Sequence, residues 1–227
     1  MRPLWRLRIS RKRLKRLWVG SWIMVKVKIC GITNLEDALY AARHGADALG
    51  FVFYKKSPRY IKPKKVSVII RELPKFVKKV GVFVNARENT IRRVAGNLKL
   101  DMLQFHGNES EIFCSRFKGF KVIKAFRVKK KINIADLSKY DVWAYLFDSF
   151  GRNKFGGTGK QIDLWRLKRL KGLRKTIFLS GGLNPEYVSK ALKSFPVEWV
   201  DASSSLERQP GKKDPDKVKR FIKNARG

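Results

Sequence analysis

From residue 25 onward the apolar positions of the chain fall into two alternating rhythms. Short runs rich in β-branched and aromatic residues are separated by stretches in which apolar residues lie three and four apart. These are the patterns of strands and of amphipathic helices. The strand candidates are VKVKIC from 25, ALGFVF from 48, VGVFVN from 80, MLQFHG from 102, KVIKAF from 121, AYLFDS from 144, TIFLSG from 176 and EWVDAS from 198. Between the first two, NLEDALYAARHG places Leu35, Ala38, Leu39 and Ala42 on one helical face, with Asn34 as N-cap and Gly45 as the stop. DPDKVKRFIKNA follows the eighth run. Strands that alternate with helical segments eight times in about 200 residues predict a single-domain (β/α)8, or TIM, barrel over residues 24–227. A doubly wound open sheet is the competing α/β solution, but no GxGxxG turn follows the first strand.

Composition adds a charge excess that this pattern does not require. The 227 residues hold 53 Lys and Arg against 18 Asp and Glu, a formal net charge of +35. Such a balance attracts nucleic acid, anionic membrane surfaces or phosphorylated substrates. Residues 1–24 carry eight of the basic residues and no acid, so the rest of the chain still has 45 against 18. The leader resembles the start of a secretory signal but has no small-x-small cleavage site before residue 25, and its apolar run is far short of the roughly 20 residues of a membrane span. Residues 1–23 therefore read as a basic arm or as the product of a start codon placed upstream of Met24. Two cysteines, Cys30 and Cys114, and no CxxC or His-x-His spacing point to a reducing, cytoplasmic protein without a metal.

In a barrel of this kind the C-terminal ends of the strands face the active site. Cys30 closes the first strand and Gly31 turns the chain away from it; Asp148 closes the sixth. Together they offer two titratable groups of different character across the barrel mouth, as acid/base chemistry requires. Singly, the aspartate would serve equally well to cap a turn, and the cysteine to pack. A thiolate at Cys30 calls for nearby positive charge, which the basic composition would supply. SGGLNP (180–185), DASSS (201–205) and FGGTGK (155–160) are turns after strands seven, eight and six whose backbone N–H groups suit a phosphate; each alone is equally a tight βα turn. Arg59, on the loop after strand two, has the fork geometry for a carboxylate, and His106 closes strand four. Cys114, inside SEIFCSRF, reads as a packed helix residue.

KICGIT, GADALGFVFYKKSPRYI, GVFVN, LQFHG, FGGTGK, LSGGLNPE and PGKKD, in that order, resemble the phosphoribosylanthranilate isomerase family of tryptophan biosynthesis. The resemblance runs from about Met24 to the C-terminus. It implies a cofactor-free Amadori rearrangement of N-(5-phosphoribosyl)anthranilate, with Cys30 as general base and Asp148 as general acid. It further implies Arg59 at the anthranilate carboxylate and the backbones of Gly182, Ser203 and Ser204 at the phosphate. From their places at strand ends and in the glycine turns, His106, Gly157, Gly181 and Asp201 are expected at the substrate as well, with a hydrogen-bonded histidine at the core edge as the other reading of His106. One departure is Ser205, where the family usually has glycine. If that position needs positive φ, serine there is strained and phosphate affinity suffers.

Two other readings remain open at this point. A basic barrel with nucleic-acid binding would account for the charge, but no RNA-binding signature or aromatic stacking platform can be placed, so contact with nucleic acid is expected only non-specifically. A Schiff-base aldolase on the same fold would use a strand lysine such as Lys124 in place of the cysteine and aspartate.

Overall fold

The computed structural model describes residues 24–128, 133–149, 163–170 and 173–227. Eight strands, β1 (Lys26–Cys30), β2 (Ala48–Val52), β3 (Lys78–Phe83), β4 (Met102–Phe105), β5 (Lys121–Val128), β6 (Ala144–Ser149), β7 (Thr176–Leu179) and β8 (Trp199–Ala202), form a closed barrel in chain order. All eight pairings are parallel, and β8 returns to β1 with Lys28 beside Asp201. Every strand expected from the sequence is present, displaced by at most a few residues at its ends.

The helices are α1 (Leu35–Arg43), α2 (Pro63–Glu72), α3 (Glu88–Leu98), α4 (Glu111–Ser115), α5 (Ile134–Ser138), α6 (Val188–Ser194) and α7 (Pro215–Arg226). Asn34 caps α1, its side chain accepting from Asp37 N at 2.8 Å, and Gly45 follows with φ +100°. Between β6 and β7 the described helical segment is a 3-10 run, Leu164–Leu170, and not an α-helix. After β8 the chain makes a 3-10 turn (Ser204–Leu206) and a small hairpin, β9 (Glu207–Gln209) with β10 (Lys212–Lys213), before α7. The sequence reading did not anticipate that hairpin.

Alternation along each strand divides the apolar residues between two cores. Val27, Ile29, Leu49, Phe51, Leu103 and Phe147 face the helices. Ala48, Val80, Met102, Ile123, Leu146, Phe178 and Trp199 fill the barrel interior. Because Val27 and Ile29 point outward, Lys28 and Cys30 point inward. Lys28 is fully buried, and Cys30 sits one layer higher at the mouth beside Val52 and Val82. No helix among the described residues is long and apolar enough to cross a membrane.

Candidate active site

The mouth of the barrel holds a cleft of about 690 Å³, open to solvent, at the C-terminal strand ends. Cys30, Arg59, His106, Asp148, Gly181, Gly182, Asp201, Ser203 and Ser204 all line it. Gly157 and the FGGTGK loop lie outside the described residues.

Cys30 is 8 % exposed at the end of β1. Gly50 on β2 makes room for its sulfur: a Cβ there would stand 2.7 Å from Cys30 Sγ. Gly31 turns away with φ +79°, and a Cβ on it would press 2.6 Å from Arg59 Cδ. Glycine at 31 is therefore required twice, for backbone conformation and for the passage of the arginine. Beneath Cys30, Lys28 Nζ donates to Asp201 Oδ1 at 2.7 Å, and Ser180 Oγ donates to Asp201 Oδ2 at 3.2 Å. Burial pushes the Cys30 thiol up; Lys28 and, more weakly, Lys213 pull it down while Asp201 opposes them, and the net shift is upward. The expected thiolate of a positive field is thus not the resting form. Desolvation outweighs the two buried ammonium groups, and the surface charge is too distant and too screened to matter.

Asp201, expected among the substrate contacts, lines the cleft, where its two oxygens accept from Lys28 and Ser180.

Across the mouth, Asp148 is 5 % exposed at the end of β6. Its Oδ1 accepts from Ser149 N at 2.8 Å, and His106 Nε2 stands 3.2 Å from Oδ2. Gln104 Nε2 in turn lies 2.8 Å from His106 Nδ1. The loop carrying His106 is pinned by Glu109, whose carboxylate accepts from Asn85 N, Gly107 N and Lys124 Nζ at 2.8 to 2.9 Å. Lys124 also donates to Gly107 O and is 3 % exposed. A lysine locked in that way is a loop clamp, which argues against the aldolase reading.

Arg59 grips Glu207 bidentately, Nε to Oε1 at 2.8 Å and Nη2 to Oε2 at 2.7 Å. Lys213 Nζ also donates to Glu207, at 3.0 Å, and to Ser203 O at 3.1 Å. Burial alone would raise the Glu207 carboxyl, but Arg59 and Lys213 more than offset it and hold it below the ordinary range. The β9–β10 hairpin thereby fixes the guanidinium at the rim, with Nη1 directed away from the Glu207 pair. On the neighbouring part of the rim Gly181 (φ +89°) and Gly182 (φ +67°) turn the chain after β7, and a Cβ on Gly181 would run into the backbone of Ser149. Ser205 is not strained. It lies in the 3-10 turn, is not among the residues of positive φ, and donates its hydroxyl to Leu183 O, tying the loop after β8 to the loop after β7. Among the described residues no group of three or more His, Cys, Asp or Glu is disposed to hold a metal ion.

Lys28, Gly50, Gln104, Ser180 and Glu207 were not singled out from the sequence. A glycine inside a strand is a signal of close approach, so Gly50 was findable. Lys28 reads as the polar face of an amphipathic strand, and only barrel closure turns that face inward.

A cysteine and an aspartate facing one another across a cleft at the C-terminal end of a closed parallel barrel, flanked by glycine turns, mark the place where enzymes of the (β/α)8 class carry their active sites. Residues 27–224 match the family model described as N-(5'-phosphoribosyl)anthranilate (PRA) isomerase. The chain is 49 % identical over 203 residues to the N-(5'-phosphoribosyl)anthranilate isomerase of Citrifermentans bemidjiense, covering 89 % of this chain and 98 % of that one. It is 44 % identical to the phosphoribosyl anthranilate isomerase of Thermotoga maritima, whose crystal structure superposes with a TM-score of 0.80 over 89 % of this chain and 98 % of that one. A related crystal structure of the isomerase, 42 % identical with a TM-score of 0.77 and the same coverage, holds reduced 1-(o-carboxyphenylamino)-1-deoxyribulose 5-phosphate. The chain belongs to the N-(5'-phosphoribosyl)anthranilate isomerase family.

Proposed function

We propose that Cys30 and Asp148 are the general base and general acid of the isomerisation carried out by this protein, a phosphoribosylanthranilate isomerase of tryptophan biosynthesis. Asp148 protonates the ribose ring oxygen of N-(5'-phosphoribosyl)anthranilate and opens the ring to a Schiff base. Cys30 then takes the C2 proton, and the resulting enolamine tautomerises to the ketose. The observation that carries this reading is the placement of the two groups on β1 and β6 in a single cleft at the barrel mouth. The resting thiol is protonated, so it releases its proton to solvent through the open cleft, and the cationic Schiff base beside the sulfur, together with Lys28, favours the thiolate that takes the C2 proton. Arg59, braced by Glu207, receives the anthranilate carboxylate. The turns at Gly181, Gly182, Ser203 and Ser204 receive the phosphate, with Gly157 on the loop after β6 and His106 as further contacts.

The partner is accordingly a phosphorylated small molecule and no cofactor is used. Nucleic acid is met only through charge, and the protein works in the cytoplasm as a monomer or homodimer. Residues 24–227 form the catalytic unit, and residues 1–23 are dispensable for it. The test follows the fluorescence of phosphoribosylanthranilate, generated in place from anthranilate and phosphoribosyl pyrophosphate. Cys30→Ala and Asp148→Ala should each lower kcat by about 10² to 10⁴, while a chain starting at Met24 keeps wild-type turnover. Full activity in either single variant would overturn the assignment of roles.

A further inference from the structure

Gln104 and His106 stand two residues apart, at the end of β4 and just beyond it, so both side chains point into the barrel mouth. Gln104 is 1 % exposed and lines the cleft. Its Nε2 lies 2.8 Å from His106 Nδ1, while its Oε1 is a buried oxygen without a hydrogen-bond partner among the described residues. We propose that Gln104 is a positioning residue of the isomerisation: its carboxamide holds His106 in the neutral Nε2–H tautomer, so that the imidazole donates to Asp148. The inference rests on the reading of Asp148 as the acid.

The tautomer follows from the orientation of the Gln104 amide in the structure. A carboxamide nitrogen offers only hydrogens, so the ring nitrogen facing it carries a lone pair. The single hydrogen of the neutral ring then sits on Nε2, 3.2 Å from Asp148 Oδ2. With Ser149 N–H on Oδ1 at 2.8 Å, the carboxylate that Asp148 becomes on delivering its proton receives one hydrogen bond on each oxygen. Donors fixed in advance where charge develops lower the barrier without reorganisation. The reverse amide orientation would set Oε1 against Nδ1, demand a hydrogen there, and turn a bare Nε2 lone pair toward Asp148, a repulsive contact once the acid has ionised. The orientation of one amide therefore selects which form of the acid the site supports. An unpaired buried amide oxygen is unfavourable. A hydroxyl of the bound ribose supplies the missing donor to Oε1 and secures the same orientation during the reaction.

The chain has only two histidines, which makes the tautomer directly observable. His44 lies outside the cleft at the end of α1, with Nδ1 on Tyr40 O and its ring stacked on Tyr40, so His44→Asn clears its signals without touching the site. Long-range ¹H–¹⁵N correlation spectra of the full chain carrying His44→Asn should show His106 as the Nε2–H tautomer at neutral pH. Adding Gln104→Leu should mix the two tautomers and lower kcat by about tenfold to a hundredfold with a smaller change in KM. Gln104→Glu, which sets a carboxylate against Nδ1, should convert His106 to the imidazolium. A Nδ1–H tautomer or an imidazolium in the protein with Gln104 intact would overturn the proposal without reliance on any variant folding, and so would a Gln104→Leu protein with tautomer and kcat unchanged. If Asp148→Ala kept full turnover while His106 still showed Nε2–H, the acid assignment would fall and the role of Gln104 with it, leaving only the tautomer.

Discussion

Lys28→Met tests the buried pair beneath the cysteine. Lys28 is 0 % exposed and Asp201 3 % exposed, with 2.7 Å between Nζ and Oδ1. Burial alone would push the lysine down, but Asp201 and Cys30 together more than offset it and leave it raised, so the ammonium form is secure at neutral pH. Methionine matches the length of the lysine stem, so the loss is chiefly of charge. It leaves Asp201 uncompensated in the barrel interior with Ser180 as its remaining donor, a situation that destabilises by about 3–5 kcal/mol. Asp201→Leu should destabilise comparably, whereas the double variant should lose much less than the two losses added, because no buried charge remains. Urea unfolding of the four proteins, read as midpoints at constant slope, measures the cycle. The same Lys28→Met protein should need higher pH for alkylation of Cys30 by iodoacetamide, since the cation that pulls the thiol down is gone. A loss below about 1 kcal/mol for Lys28→Met, or strict additivity in the double variant, would refute the reasoning, because a desolvated pair at this depth cannot be neutral when broken.

Gly50→Ala puts a methyl group 2.7 Å from Cys30 Sγ and 3.1 Å from its Cα; steady-state kinetics should show kcat reduced by about a hundredfold with the fold retained, as expected of a misplaced base. Ser205→Gly should weaken the protein by about 1 kcal/mol in thermal unfolding and bring no gain in phosphate affinity, because the serine is unstrained and loses its hydrogen bond to Leu183 O. Cys114, 1 % exposed in α4, has its thiol pushed up to about 11 by burial, from an ordinary 9.0. The folded chain then keeps a proton that the unfolded chain has released, so stability falls as pH rises from about 9 to 11, by about 2–3 kcal/mol. The difference between wild type and Cys114→Ala in unfolding free energy should shrink across that window and stay flat below it.

The barrel was legible because each of its eight strands carries its own alternation and each sits between helical periods; nothing distant is needed to recognise VKVKIC or AYLFDS. The positions of Cys30 and Asp148 followed from the same reading, since a strand end is a local feature and the fold class supplies its meaning. What escaped was set by closure. Lys28 is polar in an alternating strand and looks solvent-facing until β8 closes against β1 and brings Asp201 alongside. The grip of Glu207 on Arg59 spans 148 residues and depends on a hairpin too short to show a period. Ser205 misled in the opposite direction: comparison with the usual glycine suggested strain, but the 3-10 turn accommodates a side chain and uses it. The upward shift of Cys30 was also beyond composition, because a net charge says nothing of how deeply one thiol is buried.

On the proposed reading, one cleft with Cys30 and Asp148 on facing walls holds the whole substrate. A crystal structure of this chain with reduced 1-(o-carboxyphenylamino)-1-deoxyribulose 5-phosphate tests it most directly. Phosphate oxygens should lie on the backbone N–H groups of Gly182, Ser203 and Ser204, the carboxylate at Arg59, and the sugar carbons between Cys30 Sγ and the Asp148 carboxyl. A ligand seated with its phosphate away from those turns, or with its C2 out of reach of Cys30 Sγ, would contradict it.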